Sequence, residues 1–465
     1  MAQCRAVCRI ALLLVTAALA GCATYSDSFG VIERNLAAQQ YDAALLDIEK
    51  QAESKHDRAL YLLNKGMVLR MKRDFAGSNQ ALEAAKAEME RLYAASVSEN
   101  ALSFIVNDAT VSYAGDDYEQ VLVHLYLALN YLELGQSKEA RVEALQVDVK
   151  LREIGEKIPE SKFTEDALSR YLTGMIYEEL GEWSDAMIAY RKAYEAYKKY
   201  RVNFGMAMPD MLQHDLLRLA QRQGLKDEAA EYRKEFGIES RPKENREREQ
   251  EGELVFVLNN GLAPIKREKS LGAWVPPPVV VNTAKPNAPV TPALPVLVNI
   301  ALPYYESRPD NVQGARISVS GKQSPTQMVE NIDAIARASL DSRMPAITAR
   351  SIARAVAKGA LQQSVDRAGN NNDSGAALLG SFLVRVAAVA TERADTRSWL
   401  TLPANIQMAR LSLPPGNYDV SVELLGADDR VIATRMFPQV LIRKAHKTYL
   451  TQHWVPDNPT TRSRK

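Results

Sequence analysis

The sequence has few of the residues on which most enzyme chemistry depends. Its 465 residues include only three cysteines and five histidines, and none of these lies in a metal-ligand spacing or beside a nucleophile motif. Glycine-rich phosphate loops are also missing, because asparagine and aspartate interrupt the glycine-containing segment 369–375. We therefore predict a protein that is not an enzyme and that uses no cofactor and no metal ion.

An excess of one charge and a long hydrophobic run are absent as well. The chain has 58 basic and 57 acidic side chains, and this balance predicts no binding to nucleic acid. After residue 22, no apolar run reaches the roughly 18 residues that a membrane-spanning helix needs. The chain is nevertheless long enough for two or three domains with a large core.

The N-terminus has the features of an export signal that ends in a cysteine. Arg5 and Arg9 are followed by the short apolar stretch 10–20, and the run Leu-Ala-Gly-Cys ends at Cys22. This pattern resembles the signal of bacterial lipoproteins. The resemblance implies that residues 1–21 are removed and that the Cys22 thiol carries lipid, so that acyl chains such as palmitate anchor the mature protein. The alternative is an ordinary secretory signal with a chance cysteine.

The residue after this cysteine bears on the destination of the protein. In the Gram-negative sorting signals that the N-terminus resembles, aspartate at this position retains a lipoprotein in the inner membrane, and here the residue is Ala23. The resemblance therefore implies a lipid-anchored protein of the outer membrane that faces the periplasm. Cys4 and Cys8 leave with the signal, so we expect no intramolecular disulfide.

The first half of the mature chain has a helical pattern that repeats. Residues 31–237 are rich in alanine, leucine and glutamate, and their apolar positions recur at helical spacing. Two copies share the same offsets: Ala128, Tyr131, Gly135 and Ala140 in one, and Gly174, Tyr177, Gly181 and Ala186 in the other. The pattern matches the tetratricopeptide helix-turn-helix, in which small residues lie at close contacts and glycine ends the first helix.

Weaker copies of the pattern flank these two. They surround Gly66 and Leu217, and Tyr41 begins the second helix of a degenerate first unit. We therefore predict a tetratricopeptide-like, all-α domain over residues 22–238. The alternative is an unrelated helical bundle.

The second half of the chain has a different character. The densely charged segment 239–253 predicts a solvated linker. Residues 254–454 predict an α+β domain with a small antiparallel sheet, and 455–465 a disordered tail. Within the α+β domain we expect strands at 254–258, 296–302, 317–319, 418–424, 431–436 and 440–442, a turn at 259–261, a proline-rich loop at 276–295, and a helix that begins at Pro345.

The apolar run 376–390 leaves two interpretations open. It is interrupted only by Arg385, and the polar cluster that contains Asp395, Arg397 and Trp399 follows it. The run either contacts a membrane or a partner, with the cluster fixing its exit, or it is a buried core helix whose following loop is closed by an Asp-Arg pair.

A basic stripe near residue 354 also leaves two interpretations open. Arg350, Arg354 and Lys358 are spaced by four and share one helix face. This face either contacts an anionic polymer or is simply solvated.

Helical-repeat proteins bind partners with a concave surface that is lined by the first helix of each pair. Offsets from Ala128 and Gly174 identify the inward positions, and among these Tyr171 and Met175 are the best anchors. With two residues from the cluster after the apolar run, the predicted partner-binding residues are Leu125, Leu129, Glu133, Tyr171, Met175, Glu178, Arg397 and Trp399.

Several features together resemble a family of Gram-negative outer-membrane lipoproteins with a tetratricopeptide-like N-terminal half. They are the lipid signal, the helical repeats, Gly-Glu-Leu-Val-Phe-Val at 252–257, Asn-Gly-Leu-Ala-Pro at 260–264 and Asp-Thr-Arg-Ser-Trp at 395–399. The resemblance implies the cellular location and the architecture, and it supplies no catalytic residue. We expect a scaffold or accessory factor in cell-envelope assembly that binds an envelope protein. The alternatives are a peptidoglycan-acting enzyme that uses the Glu178 carboxylate, and a passive structural protein of the envelope.

Overall fold

The helices of the first half are arranged as hairpins. The computed structural model describes residues 25–98, 111–157, 163–238, 250–275, 296–369 and 393–457. Before residue 239 the helices are α1 (Tyr25–Ser28), α2 (Gly30–Ala37), α3 (Tyr41–Glu49), α4 (Arg58–Met71), α5 (Phe75–Ser98), α6 (Asp117–Glu133), α7 (Ser137–Lys157), α8 (Ala167–Glu179), α9 (Trp183–Phe204), α10 (Asp210–Arg222) and α11 (Lys226–Phe236). From α2 onward, they pair in chain order into five hairpins.

Each hairpin turns on a residue in the left-handed backbone conformation. These residues are Gln39, Arg73, Gly135, Gly181 and Gly224, with φ between 58° and 74°. The next N–H bonds back to the first helix, at 2.8 Å from Gln136 N to Tyr131 O and from Glu182 N to Tyr177 O, which satisfies a carbonyl at the helix end. The predicted helix-turn-helix units are therefore confirmed, including the weaker copies and the degenerate first unit.

The repeat exceeds the roughly 34 residues of the tetratricopeptide pattern because the second helices are long. Helices α5, α7 and α9 contain 24, 21 and 22 residues. Small residues allow close packing within the pairs, since a Cβ at Gly174 would overlap the ring of Tyr190. Ala140 and Ala186, the matching small residues, are fully buried.

The second half forms three sheets within the described residues. Its strands are β1 (Gly252–Asn260), β2 (Ile265–Val275), β3 (Val296–Glu306), β4 (Gly314–Val319), β5 (Lys322–Pro325), β6 (Gln327–Asn331), β7 (Asn405–Leu413), β8 (Gly416–Leu425), β9 (Val431–Ile442) and β10 (Lys447–Trp454), with helix α12 (Ile332–Gly369) after β6. The central sheet has the order β10-β1-β7-β6, the outer sheet has the order β5-β4-β8-β9, and β2 and β3 form a ribbon.

The central sheet is buried on both faces because β1 is apolar on both. Leu254, Phe256 and Leu258 pack against the outer sheet, whereas Val255 and Val257 pack in one core with the helices. The charged segment 239–253 thus separates two kinds of sequence, but one core joins the described parts of both halves.

Two expectations about the sheets are wrong. The single small antiparallel sheet is instead three sheets, and β1 pairs parallel with β10. Sequence patterns miss this pairing because the partners Val255 and Tyr449 are 194 positions apart in the chain. In addition, Asn259 and Asn260 complete β1, and the turn is made by Gly261 with a φ of 67°.

Two expectations about α12 are also wrong. Pro345 lies inside this helix rather than at its start. A proline removes one helix hydrogen bond, but buried Leu340 and Ala355 on either side hold the helix against its neighbours. Arg354 is buried rather than solvated, and its guanidinium lies 3.3 Å from Ser351 Oγ.

Other expectations lie outside the described residues and stay predictions. They concern the signal 1–21, Cys22, the linker residues 239–249, the proline-rich loop 276–295, the apolar run 376–390 and the tail residues 458–465. Among the described helices, none is long and apolar enough to cross a membrane.

Candidate functional site

The face predicted to bind a partner is covered by the chain's own sheet. Tyr126 of α6 donates to Asn259 Oδ1 of β1 at 2.9 Å, and Tyr171 of α8 contacts Arg410 of β7. All eight predicted partner-binding residues have buried side chains. The expected open groove is therefore wrong for this structure. Helical periodicity identifies the residues that leave solvent, but it does not say whether a partner or the same chain covers them.

Arg410 is the centre of the contact between helices and sheet. Its Nε and Nη2 donate to the two carboxylate oxygens of Glu253 at 2.8 and 2.7 Å. Its Nη1 donates to Tyr171 Oη at 2.7 Å and also to Asp215. Burial alone would lower the pKa of Arg410, but Asp215 and Glu253 raise it well above its usual range. The charged guanidinium therefore joins α8, α10 and β1.

Glu178, at the end of α8, extends this set of charges. It pairs with Arg218 Nη1 at 2.7 Å, accepts from Tyr190 Oη at 2.7 Å and lies 3.6 Å from Lys447 Nζ of β10. Burial alone would raise the pKa of Glu178, but Arg218 and Lys447 hold it well below its usual range. We call the following set the charged cluster: Glu178, Asp215, Glu253, Arg218, Arg410 and Lys447.

The state of Glu178 does not suit the role that the peptidoglycan-enzyme alternative gives it. A general acid in glycoside hydrolysis needs a raised pKa, because it must carry its proton near neutral pH. The pKa of Glu178 is lowered instead. Its carboxylate is also occupied by Arg218 and Tyr190, so this residue acts in the described structure as a buried ion-pair partner.

A cleft of about 730 Å³ opens beside the charged cluster. Trp183, Arg222, Lys444 and His446 are among the residues that line it. Arg222 stacks on Trp183, with 3.9 Å from its guanidinium carbon to the ring centroid, and His446 Nδ1 lies 2.7 Å from Glu179 Oε1. Because it offers both signs of charge and one aromatic ring, the cleft suits a polar group of mixed charge, such as a peptide segment, better than an apolar ligand.

A second acidic cluster lies along the same contact, where α8 begins. Asp166 caps the helix and accepts the Ser169 N–H at 2.6 Å, and Glu330 of β6 lies 3.4 Å from the Leu168 N–H. Each carboxyl group also has one buried oxygen without a hydrogen-bond partner among the described residues. We call Asp166 and Glu330 the carboxyl pair. Its one sequence signal is aspartate before a helix, and this does not reveal the partner in β6.

The pKa values of the carboxyl pair differ from those of the charged cluster. Burial raises the pKa of Asp166 to about 6. Burial, followed by the proximity of Asp166, raises the pKa of Glu330 well above its usual range. Both shifts favour the protonated form of the pair over that of a free carboxyl group.

The polar cluster after residue 393 belongs to the core. Arg397 donates to both carboxylate oxygens of Asp395 at 2.9 and 2.8 Å and to Asp57 at 3.0 Å. Trp399 is fully buried, and its backbone N–H donates to Glu119 at 2.8 Å. The expected Asp-Arg pair is present, and for these residues the core interpretation applies.

Metal ligands are not grouped in the part of the chain that the structure describes. There, no set of three or more histidine, cysteine, aspartate or glutamate residues could hold a metal ion.

Comparisons with known proteins identify no family for this chain. No protein-family model matches it, and no curated protein sequence matches it either. A crystal structure of MamA is 15% identical and covers 49% of this chain and 96% of its own, with a TM-score of 0.29. Two further MamA structures are 14% and 16% identical, each covers 44% of this chain and 86% of its own, and their TM-scores are 0.29 and 0.26. At these TM-scores the similarity supports no argument about fold or function. The fold is described from the helical hairpins and sheets of this chain alone.

Proposed function

We propose that this protein is an outer-membrane-anchored lipoprotein that faces the periplasm and acts as a scaffold or accessory factor in cell-envelope assembly. Because the inner face of the hairpins is covered by the sheet, the partner protein binds their outer face. The observation that carries this proposal is an exposed apolar stripe on α7.

The stripe consists of Val142, Leu145 and Val149. These side chains are 54%, 39% and 44% exposed, and their spacing of three and four places them on one face of the helix. The opposite face of α7, with Ala140, Ala144 and Val147, is buried in the core. This helix is thus apolar on two faces, of which the hairpin packing uses one.

Single exposed apolar residues are common, but three on one helix face form a patch that suits a protein partner. Exposed Lys138 lies at one end of the same face, and Arg152 and the partly exposed Glu153 lie at the other end. The stripe therefore offers an apolar centre with a charged rim, and we expect the partner to present apolar side chains flanked by charged ones.

The position of Tyr25 supports the anchoring part of the proposal. Its hydroxyl donates to Gln51 at 3.0 Å and accepts from Asn64 at 2.8 Å, so the chain is held in the core from this residue onward. Two residues separate Tyr25 from Cys22, and a chain segment of this length reaches about 10 Å. A lipid on Cys22 would therefore hold this side of the protein close to the bilayer.

The partner surface is tested by crosslinking in intact cells from a photoreactive residue at Leu145. We expect one envelope protein to be captured at high yield, and we expect the double substitution Val142→Asp and Val149→Asp to reduce its yield severalfold. The matched control is a photoreactive residue at Val202, an 84% exposed apolar position on α9. Equal capture from both positions, or capture that the aspartates leave unchanged, would contradict the proposal and favour a passive structural protein.

The anchor is tested separately, by labelling cells with a palmitate analogue. We expect the protein to be labelled and to fractionate with the outer membrane, and Cys22→Ser to lose both properties. Labelling that persists in this variant would refute Cys22 as the lipid site while leaving the partner surface open to its own test.

A further inference from the structure

A pocket lined by arginines lies away from the cleft, where the first two hairpins meet the sheets. Its volume is about 200 Å³. The turn residues Gln39 and Arg73 form one side, and residues of β9 and β10, including Arg435 and Thr451, form the other. No acidic side chain of the described residues lines this pocket.

Arg70 is the buried cation of the pocket. It is only 4% exposed. One terminal nitrogen donates to Asn130 and the other donates to Thr451 Oγ1 at 2.9 Å. Its Nε, by contrast, is buried without a hydrogen-bond partner in the described residues. A buried donor of a charged group normally has a partner, because leaving it unpaired is costly.

The other two arginines leave the pocket with an excess of positive charge. Arg73 donates to Thr451 O at 3.2 Å and lies 3.7 Å from Glu133. Arg435 makes one long hydrogen bond, 3.5 Å to Thr434 O, and forms no ion pair within the described ranges. Among the described residues, Glu133 is thus the carboxylate near Arg70 and Arg73, and no carboxylate pairs with Arg435.

We propose that this pocket binds a phosphate monoester. Guanidinium groups present paired N–H donors that match the oxygens of a phosphate, and three of them can neutralise its charge. Tyr41, Thr451 and Gln452 also line the pocket and have neutral polar side chains. This site does not depend on the scaffold function, because it lies on a different part of the molecule.

A bound anion also accounts for the unfavourable electrostatics of this pocket. Burial lowers the pKa of Arg70, and Glu133 only partly opposes this effect. Burial likewise raises the pKa of Glu133, which weakens the one local counter-charge. A phosphate next to Arg70 and Arg435 would supply the missing negative charge. The competing explanation is that these arginines only fasten the hairpins to the sheets.

The experiment is isothermal titration of the full mature chain with glycerol 3-phosphate. We expect saturable binding with a Kd of about 1 mM or tighter, while chloride at matched ionic strength gives none. Arg435→Gln removes the arginine that forms no ion pair with the described residues, and we expect it to weaken binding about tenfold or more. The matched control is Arg430→Gln, an exposed arginine just before β9, which should leave the Kd within about twofold.

A second ligand distinguishes the two sources of such a phosphate. Short-chain phosphatidic acid presents the same monoester on a lipid, so tighter binding than glycerol 3-phosphate would indicate a lipid headgroup, and equal binding a free ester. Circular dichroism would check that Arg435→Gln is folded. Arg435→Lys keeps the positive charge but lacks the paired N–H donors of a guanidinium group, so it should bind with intermediate affinity. The proposal is overturned if neither ligand gives saturable heat, or if Arg435→Gln and Arg430→Gln have the same effect.

Discussion

The charged cluster and the carboxyl pair lie along the same contact between the helices and the central sheet. They differ in whether basic side chains contact their carboxyl groups. In the charged cluster Arg218, Arg410 and Lys447 lower the pKa values of the buried carboxylates of Glu178 and Asp215. In the carboxyl pair no ion pair forms within the described residues, and both pKa values rise. Burial alone would raise the pKa values of Glu178, Asp215, Asp166 and Glu330, so the neighbouring cations decide the direction of the net shift.

The two clusters therefore give one interface opposite responses to pH. A carboxylate with a lowered pKa contributes stability that is lost as the pH falls, whereas a carboxyl group with a raised pKa contributes stability that is lost as the pH rises. The contact between the two halves therefore contains both kinds of pH response.

The largest expected effect comes from removing the central cation of the charged cluster. Arg410→Met keeps apolar volume but leaves Glu253 and Asp215 without this partner. Breaking a buried ion pair costs about 3–5 kcal/mol, and we expect the lower end of this range because Arg218 still pairs with Asp215 at 2.9 Å. The free energy of unfolding in urea at pH 7 measures the loss.

The control for this substitution is Arg316→Met. Arg316 pairs with Glu423 at 3.3 Å, with both side chains about one-third exposed, and such pairs contribute below about 1 kcal/mol. If the two variants lose the same small amount, the charged cluster does not hold the halves together and the comparison fails.

The hairpins could be predicted from the sequence because their determinants are local. The small residue, the turn glycine and the matching alanine all lie within one hairpin, as in Gly174, Gly181 and Ala186. Repetition at the same offsets in a second unit then separates this pattern from chance. The hairpin turns at Gln39 and Arg73 lack glycine, but they are still found because the flanking helices fit the pattern.

The contact between the halves could not be predicted, because its partners are far apart in the sequence. Tyr171 and Arg410 are separated by 239 residues, and no local pattern links them. The helical pattern places Tyr171 on the inner face, and in the structure its contact is an arginine of the same chain rather than a partner protein. Glu330 is a similar case, since a lone glutamate in a short strand gives no sign of burial.

The second prediction concerns the carboxyl pair and is tested by the pH dependence of the free energy of unfolding. Asp166→Asn keeps a side chain that caps helices well and removes one ionisable group. The pKa of Asp166 rises from 3.8 to about 6, so the wild type loses stability relative to the variant as the pH rises through this window. At about 1.4 kcal/mol for each pH unit, the change is at most about 3 kcal/mol.

The difference in unfolding free energy between wild type and Asp166→Asn should therefore be measured at pH 4 and pH 8. The comparison with the variant is needed because the charged cluster makes the stability of the wild type change with pH in the opposite direction. Asp185→Asn, in the exposed first turn of α9, should show no comparable trend. A pH-independent difference for Asp166→Asn would show that the pKa of Asp166 is not raised in the folded state.

The smallest expected effect comes from a turn that carries no charge, and it sets the baseline for both clusters. Gln39 has a left-handed backbone with a φ of 58°, which is costly for a residue with a Cβ by roughly 1–2 kcal/mol. Gln39→Gly removes this cost but increases the entropy of the unfolded chain, which offsets about 0.4–1 kcal/mol. We expect a net gain below about 1 kcal/mol that is the same at pH 5 and pH 8.

The neighbour Gln40 has a φ of −87°, so Gln40→Gly gains nothing and should lose about 0.5–1 kcal/mol. If both variants lose stability equally, the turn is not strained; if the gain of Gln39→Gly varies with pH, the changes assigned to the two clusters are not specific to them.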